Sequence, residues 1–200
     1  MKNTILFTLF LLIFSDVIAQ NTISLTLKDG SVINGIGRFS GIEKILLRKT
    51  ENSEKEIYDY KTVKKMTMYF DSDGSEENYE YKVIEASGIS GDIKLLEIIL
   101  TGNVNLYRDV TIGTSTYMSN GFGGGFGVTG SSKTTYYISN TGSDIATDLR
   151  MGNTYSKRFK KIAIKYFKSC PDLLEKINNK YFKRNGIGSV VKYYNENCGN

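Results

Sequence analysis

The stretch Thr22-Ile-Ser-Leu-Thr-Leu-Lys-Asp-Gly-Ser-Val-Ile-Asn-Gly-Ile36 decides how the first half of the chain folds. Ile23, Leu25 and Leu27 alternate with Ser24, Thr26 and Lys28, a period of two that gives a strand one apolar face. Asp29-Gly30 supplies a turn, and Val32, Asn34 and Ile36 continue on the return strand. Gly35 and Gly37 lie within that strand, where glycine marks a bend or a bulge. Outward from this hairpin, Ile42 to Arg48, Glu56 to Tyr60, Val63 to Phe70 and Tyr79 to Ile84 read as further strands, with Met66, Met68 and Phe70 sharing a face. A second hairpin spans Ile93 to Ile112. Leu96, Ile98 and Leu100 lead to a Gly102-Asn103 turn, and Val104, Leu106, Val110 and Ile112 return. A glycine-rich stretch from Ser119 to Ser132 interrupts this pattern, and Thr134 to Ser139 resumes it as a short strand.

Near Tyr155 the period changes to 3.6. Phe159, Ile162, Ala163, Tyr166 and Phe167 form one apolar stripe, with Lys157, Lys160, Lys161, Lys165 and Lys168 largely outside it. Pro171 fits the first turn of a second helix, followed by Asp172 at the positive end of its dipole. Leu173, Leu174, Ile177 and Tyr181 give that helix a buried side, and Asn185-Gly186 ends it. Ile187, Val190, Val191 and Tyr194 mark a third short helix. Strands followed by helices predict an α+β fold: an N-terminal β-rich body, made of a small bent barrel plus β-hairpins, and a C-terminal three-helix tail. Cys170 and Cys198 are the only cysteines, and in an oxidising compartment they pair to close that tail. A redox-active pair would need a close C-x-x-C arrangement, which is absent. The expected divisions are 1–19 as signal peptide, 20–90 as a barrel-like region, 91–150 as a hairpin region with a Gly-rich loop, and 151–200 as the disulfide-tied helical region.

The expected location is outside the cytoplasm. Lys2 precedes a short apolar run from Ile5 to Phe14, and Val17-Ile18-Ala19 places small residues at the positions a signal peptidase reads. The run is shorter than the roughly 20 residues that cross a bilayer, and no cysteine follows it to carry a lipid. Export places the chain in the periplasm or outside the cell, away from routine ATP and NAD(P)H.

Composition narrows the chemistry further. The chain contains no histidine, which rules out a Ser-His-Asp or Cys-His arrangement and removes the commonest ligand of zinc, copper and non-haem iron. Carboxylate chemistry remains open, either as a glycoside-hydrolase pair or as a Ca²⁺ site. The absence of Trp weakens a sugar-cleaving reading, although 14 tyrosines offer stacking surfaces. No cofactor, metal or catalytic residue is assigned.

Three motifs bear on binding. Gly125-Phe-Gly-Val-Thr-Gly130 satisfies G-x-G-x-x-G as a string, but a strand pattern rather than a helix follows, so no pyrophosphate cradle is expected. The reading favoured is a loop whose Phe122 and Phe126, with nearby Tyr117, contact a partner. Asp71-Ser-Asp-Gly-Ser-Glu-Glu77 concentrates carboxylates without the twelve-residue loop of an EF-hand, and reads as an acidic hairpin tip. Lys157 to Arg184 holds ten basic residues against Asp172 and Glu175. Lys157, Lys160, Lys161, Lys165 and Lys168 are the candidates for an anionic surface, weighed against an ordinary solvated helix face.

Two resemblances accompany these readings. Residues 22–70, with Leu25-Thr-Leu-Lys-Asp-Gly-Ser-Val-Ile-Asn-Gly35, resemble the opening of Sm-like and SH3-like barrels, which implies a small bent barrel and no activity. The signal ending Ala19-Gln20, the β-rich body, Phe159-Lys-Lys-Ile-Ala-Ile-Lys-Tyr-Phe-Lys-Ser-Cys-Pro-Asp-Leu173 and Val190-Val-Lys-Tyr-Tyr-Asn-Glu-Asn-Cys198 resemble a group of exported Bacteroidota-type proteins. That resemblance carries no residue roles over. The function expected is non-catalytic binding of an envelope protein or glycan through the β-rich body and the Gly/Phe loop. The alternatives are peripheral binding of an anionic membrane through the basic tail, and a carboxylate-dependent hydrolase. Nucleic acid is not an expected partner.

Overall fold

The computed structural model describes residues 21–40, 43–86, 89–118 and 126–199; side chains of 86, 89–90, 112–118 and 126–131 are outside the description. Residues 1–20, which include the expected signal peptide, and Phe122 lie outside the described residues. The fold is α+β: among the described residues, ten strands in one sheet are followed by three helices and a Cys170–Cys198 disulfide.

β1 (Asn21–Leu27) and β2 (Val32–Phe39) form the first hairpin. Its turn is held by the Asp29 carboxylate, which accepts from the Ser31 amide at 2.9 Å and the Ser31 hydroxyl at 2.6 Å. Gly30 adopts φ +88°, a conformation a Cβ would oppose. β3 (Ile45–Arg48), β4 (Glu56–Tyr58) and β5 (Val63–Tyr69) extend the sheet in the order β5-β1-β2-β3-β4. The glycines of β2 have a packing role. A Cβ on Gly37 would lie 2.6 Å from the Leu46 carbonyl and 2.9 Å from Ile23, and a Cβ on Gly35 would collide with the Arg48 carbonyl. Their absence lets β3 close over Ile23, Leu25, Leu47, Met66 and Met68, the first apolar core.

β6 (Glu76–Ala86) joins β5 to the second half of the sheet. It is followed by β7 (Ile89–Leu100), β8 (Val104–Met118), β9 (Phe126–Asn140) and β10 (Ile145–Arg150). β10 pairs with β9 antiparallel and with β6 in parallel, so the pairings β6-β7-β8-β9-β10 return to β6. Inside this ring Ile84, Leu96, Tyr107, Tyr137 and Ala146 form a second core. The ring also holds charge. Buried Lys82 pairs with Glu80 at 3.0 Å and donates to the Ser143 carbonyl at 2.8 Å, while the Tyr107 hydroxyl donates to Glu80 at 3.1 Å. An ammonium so shielded from water is tolerated because each contact replaces lost hydration.

The structure alters the reading of the glycine-rich stretch. β8 and β9 pair in unbroken register from Val104↔Asn140 to Met118↔Phe126, so residues 126–132 belong to a strand, not to a loop. Small residues are no obstacle there, because the backbone ladder needs no side chain. The connection between the strands is confined to residues 119–125, outside the description.

The outer face of the ring carries the helices α1 (Lys157–Phe167), α2 (Pro171–Asn178) and α3 (Ile187–Asn197). The Ser156 hydroxyl caps α1 by accepting from the Phe159 amide at 3.0 Å, and Pro171 occupies the first turn of α2. Phe159, Phe167, Leu173, Ile177, Val190 and Val191 pack on Val104, Leu106, Ile138 and Leu149 as the third and largest core. The Asn195 amide, reaching from α3 to the start of β8, accepts from the Val104 N–H at 3.0 Å and donates to the Val104 carbonyl at 2.8 Å.

Candidate functional site

Strand register builds a recess on the described surface. Tyr79 on β6 stands opposite Glu97 on β7, and Glu97 stands opposite Arg108 on β8. The three side chains therefore line up across neighbouring strands. A groove of about 580 Å³ opens at the Glu97/Arg108 end of the β7–β8 ladder. Its walls bring Phe39 and Glu43 from the β2–β3 region to Glu77 and Tyr79 of β6, Lys94 and Glu97 of β7, and Arg108 and Asp109 of β8. The volume falls within the range of small-ligand sites, about 300–1,000 Å³. Recesses beside Gly37 and beside Lys82 hold about 30 Å³ and 170 Å³.

Every charge in the groove has a partner. The Arg108 Nε donates to Glu97 at 2.5 Å, and its guanidinium lies 3.9 Å from Glu77. Glu77 also accepts the Tyr79 hydroxyl. Burial, followed by that bond to Glu77, holds the Tyr79 phenol well above its ordinary value. Lys94 and Asp109 bridge β7 and β8 at 2.9 Å. Burial works against the Lys94 ammonium, but Asp109, and then Glu43 and Asp92, outweigh it and raise its pKa. Phe39 meets the Tyr79 ring edge-on, with centroids 5.3 Å apart, and supplies an exposed apolar wall.

Glu43 stands apart from its neighbours. Its φ is +60°, the left-handed region that side chains other than glycine rarely enter. Two contacts from other strands hold it there. The Glu43 carboxylate takes the Leu95 backbone N–H, and the Tyr81 hydroxyl donates to the Glu43 carbonyl at 2.8 Å. Burial raises the Glu43 pKa above its ordinary 4.5, against the lowering influence of the Leu95 amide and Lys94. Glu43 thus combines a left-handed backbone, half-burial and a raised pKa in one polar groove.

The residues singled out from sequence are placed differently. Tyr117 and Phe126 lie near the far end of the β8–β9 ladder, where Tyr117 pairs with Gly127 and Phe126 with Met118. The acidic run divides between two environments. Asp73 caps the β5–β6 turn by accepting from the Ser75 amide and hydroxyl, whereas Glu77 faces the groove. Among the described residues no three His, Cys, Asp or Glu side chains converge in a way that would hold a metal ion. On α1, Lys157, Lys161 and Lys168 are exposed, Lys160 is partly buried and donates to the Asn178 carbonyl at 3.4 Å, and Lys165 pairs with Glu85 at 2.7 Å. Among the described residues no helix is long and apolar enough to cross a membrane.

Glu43, Tyr79, Lys94, Glu97, Arg108 and Asp109 escaped the sequence reading. In sequence they are charged or aromatic residues at ordinary strand positions, and only strand pairing assembles them. No family model, curated protein or solved structure matches the chain.

Proposed function

We propose that this protein is an exported, non-catalytic envelope protein whose β-rich body binds a glycan in the groove between β2, β6, β7 and β8. The observation that carries this reading is the meeting of Phe39 and Tyr79 with the paired charges of Glu77, Glu97, Arg108, Lys94 and Asp109 in one open recess. A sugar presents an apolar C–H face and a rim of hydroxyls. The aromatic wall suits the first. The carboxylates suit the second, because an ionised carboxylate has about four acceptor positions and the ion pairs occupy only some of them. Ion pairing among protein groups also positions these acceptors before a ligand arrives, which limits the ordering cost of binding. Export belongs to the same proposal, and the Cys170–Cys198 disulfide supports an oxidising compartment.

The test is a glycan array, including peptidoglycan fragments, probed with the mature chain and with the Arg108→Met and Phe39→Ser variants. Retention of a defined saccharide by the wild type, weakened at least about tenfold in both folded variants, supports the groove. That threshold corresponds to about 1.4 kcal/mol, below the roughly 2–5 kcal/mol that truncating one partner of a buried charge pair costs. Failure of any saccharide to bind, or binding that survives both substitutions, refutes it.

A second reading has one specific observation in its favour. Glu43, with its raised pKa, shares the groove with three other carboxylates, and glycoside hydrolysis needs one protonated and one ionised carboxyl. Under that reading Glu43→Gln abolishes cleavage of the retained saccharide and leaves its binding intact. Absence of cleavage by the wild type removes the hydrolase.

A further inference from the structure

The helical layer carries a second surface, separate from the groove and opposite to it in chemistry. The inner side of α1 is engaged in the third core through Phe159, Ala163 and Phe167. Its outer side presents Lys157, Lys161, Ile164, Lys165 and Lys168 at spacings that keep them on one face. Lys165 is held by Glu85. Lys157, Lys161 and Lys168, with Lys180, Lys183 and Arg184 of the α2–α3 region, form no ion pair among the described residues. Of the carboxylates in this layer, Asp172 binds Lys176 at 2.6 Å and also accepts the Tyr193 hydroxyl, Asp148 lies 3.6 Å from Arg158, and exposed Glu175 on α2 pairs with none of these cations.

Two contacts join these cations into one area. Lys160 reaches the Asn178 carbonyl at the end of α2, and the Lys180 ammonium sits 5.7 Å above the Tyr155 ring just before α1. Large apolar side chains are exposed on the same helical layer. Tyr181 is 71% exposed and Ile164 61%, and Tyr155 is also exposed. Tyr181 is a near neighbour of Lys176, whose ammonium lies 5.9 Å from its ring.

We infer that this face of the helical layer docks on an anionic lipid surface. Charge complementarity selects an anion, because the unpaired cations meet no protein carboxylate. The exposed Tyr181 and Ile164 select lipid over a soluble polyanion. A sugar face could stack on Tyr181, but a heavily charged, hydrated polyanion gives the aliphatic Ile164 no apolar surface to cover it, whereas the headgroup–acyl boundary accepts an aromatic ring with a polar tip and an aliphatic side chain beside it. The contact is peripheral, since α1 buries its apolar stripe in the protein and has none left to insert. Binding is therefore reversible and sensitive to salt. The inference stands independently of the groove.

The experiment is flotation of the mature chain with vesicles of mixed phosphatidylglycerol and phosphatidylcholine, compared with pure phosphatidylcholine, at low and high salt. Heparin serves as a soluble polyanion. The wild type floats with the anionic vesicles alone and is released by high salt. The triple variant Lys157→Glu/Lys161→Glu/Lys180→Glu loses partitioning by about 100-fold, given three surface cations near an anionic leaflet. Ile164→Ser/Tyr181→Ser lowers vesicle binding about tenfold, on the apolar area removed, and leaves heparin binding unchanged. All these positions are exposed, and a thermal melt checks that each variant folds. Absence of flotation, equal flotation with pure phosphatidylcholine, or undiminished flotation of the triple variant overturns the inference. Heparin binding without flotation overturns it in favour of a soluble polyanion. The wild-type salt and lipid comparison decides the matter even if a variant fails to fold.

Discussion

Replacing Asn195 by alanine removes the side-chain amide that joins α3 to the first residue of β8. Its oxygen accepts from the Val104 N–H at 3.0 Å, and its nitrogen donates to the Val104 carbonyl at 2.8 Å, the geometry of a strand partner supplied by a side chain. Val104 is 1% exposed, so water does not readily replace either bond. Each bond is worth about 1 kcal/mol net, and a shielded backbone group left without a partner costs about 1–3 kcal/mol. The expected loss is about 2–4 kcal/mol. For a chain of this size that lowers the melting temperature by about 5–15 °C. Two companions sharpen the reading. Asn197→Ala removes only an exposed bond to the Tyr193 carbonyl within the same helix, and shifts stability by less than about 0.5 kcal/mol. Asn195→Asp keeps the acceptor for the Val104 N–H but sets a carboxylate against the Val104 carbonyl. It is destabilised at neutral pH and partly recovers when acid protonates the side chain and restores a donor. The assay is thermal unfolding followed by circular dichroism at neutral and acid pH. An alanine variant that melts within about 2 °C of wild type refutes the claim that this amide fastens the helical layer to the sheet.

Other expectations follow from the same structure. Replacing Cys170 and Cys198, which are 28 positions apart, together by serine costs about 3–4 kcal/mol by loop-closure entropy, read as a lowered denaturant midpoint; an unchanged midpoint removes the disulfide as a stabiliser. Glu43 has a folded-state pKa raised by burial, so its ionised form opposes folding above that value and the opposition is relieved as pH falls through it. Glu43→Gln is therefore more stable than wild type at neutral pH, and the difference shrinks as pH is lowered toward and below the ordinary 4.5; a difference that grows on acidification contradicts the assignment. Two glycine substitutions act in opposite directions. Gly37→Ala places a Cβ 2.6 Å from the Leu46 carbonyl and costs about 1–3 kcal/mol, whereas Gly188→Ala meets nothing within 4 Å at the start of α3 and gains about 0.5–1 kcal/mol. Chemical denaturation of both variants checks the signs.

Several local features were legible in the chain because their causes lie within a few residues. The alternation of Ile23, Leu25 and Leu27, the Asp29-Gly30 turn, the 3.6-residue stripe through Phe159, Ala163 and Phe167, and Pro171 at a helix start each depend on local backbone geometry. The Cys170–Cys198 pair followed from there being two cysteines and one pairing. β10 was not legible, and its burial explains why. Ala146 and Leu149 are buried, but Thr147 between them is buried as well, because one face of the strand meets the ring interior and the other meets the helices. With both faces covered, a period of two disappears. Glycine content concealed the strand over residues 126–132, since backbone pairing with β8 operates without side chains.

The groove lies beyond local reading altogether. Glu43 and Arg108 are 65 positions apart, and nothing near either residue specifies the other. The sequence by itself determined the first hairpin and most of the strands, where the three helices begin, and how the tail is covalently closed. It did not determine β10, the strand over residues 126–132, or the end of α2 at Asn178, which leaves Tyr181 exposed rather than buried. The tertiary structure alone decided that β10 returns to β6, that β7 and β8 open onto a polar groove, and that Glu43 is held over it in a left-handed conformation. Periodicity records which face of an element is apolar, whereas the choice of strand partner is set by the summed packing of distant faces.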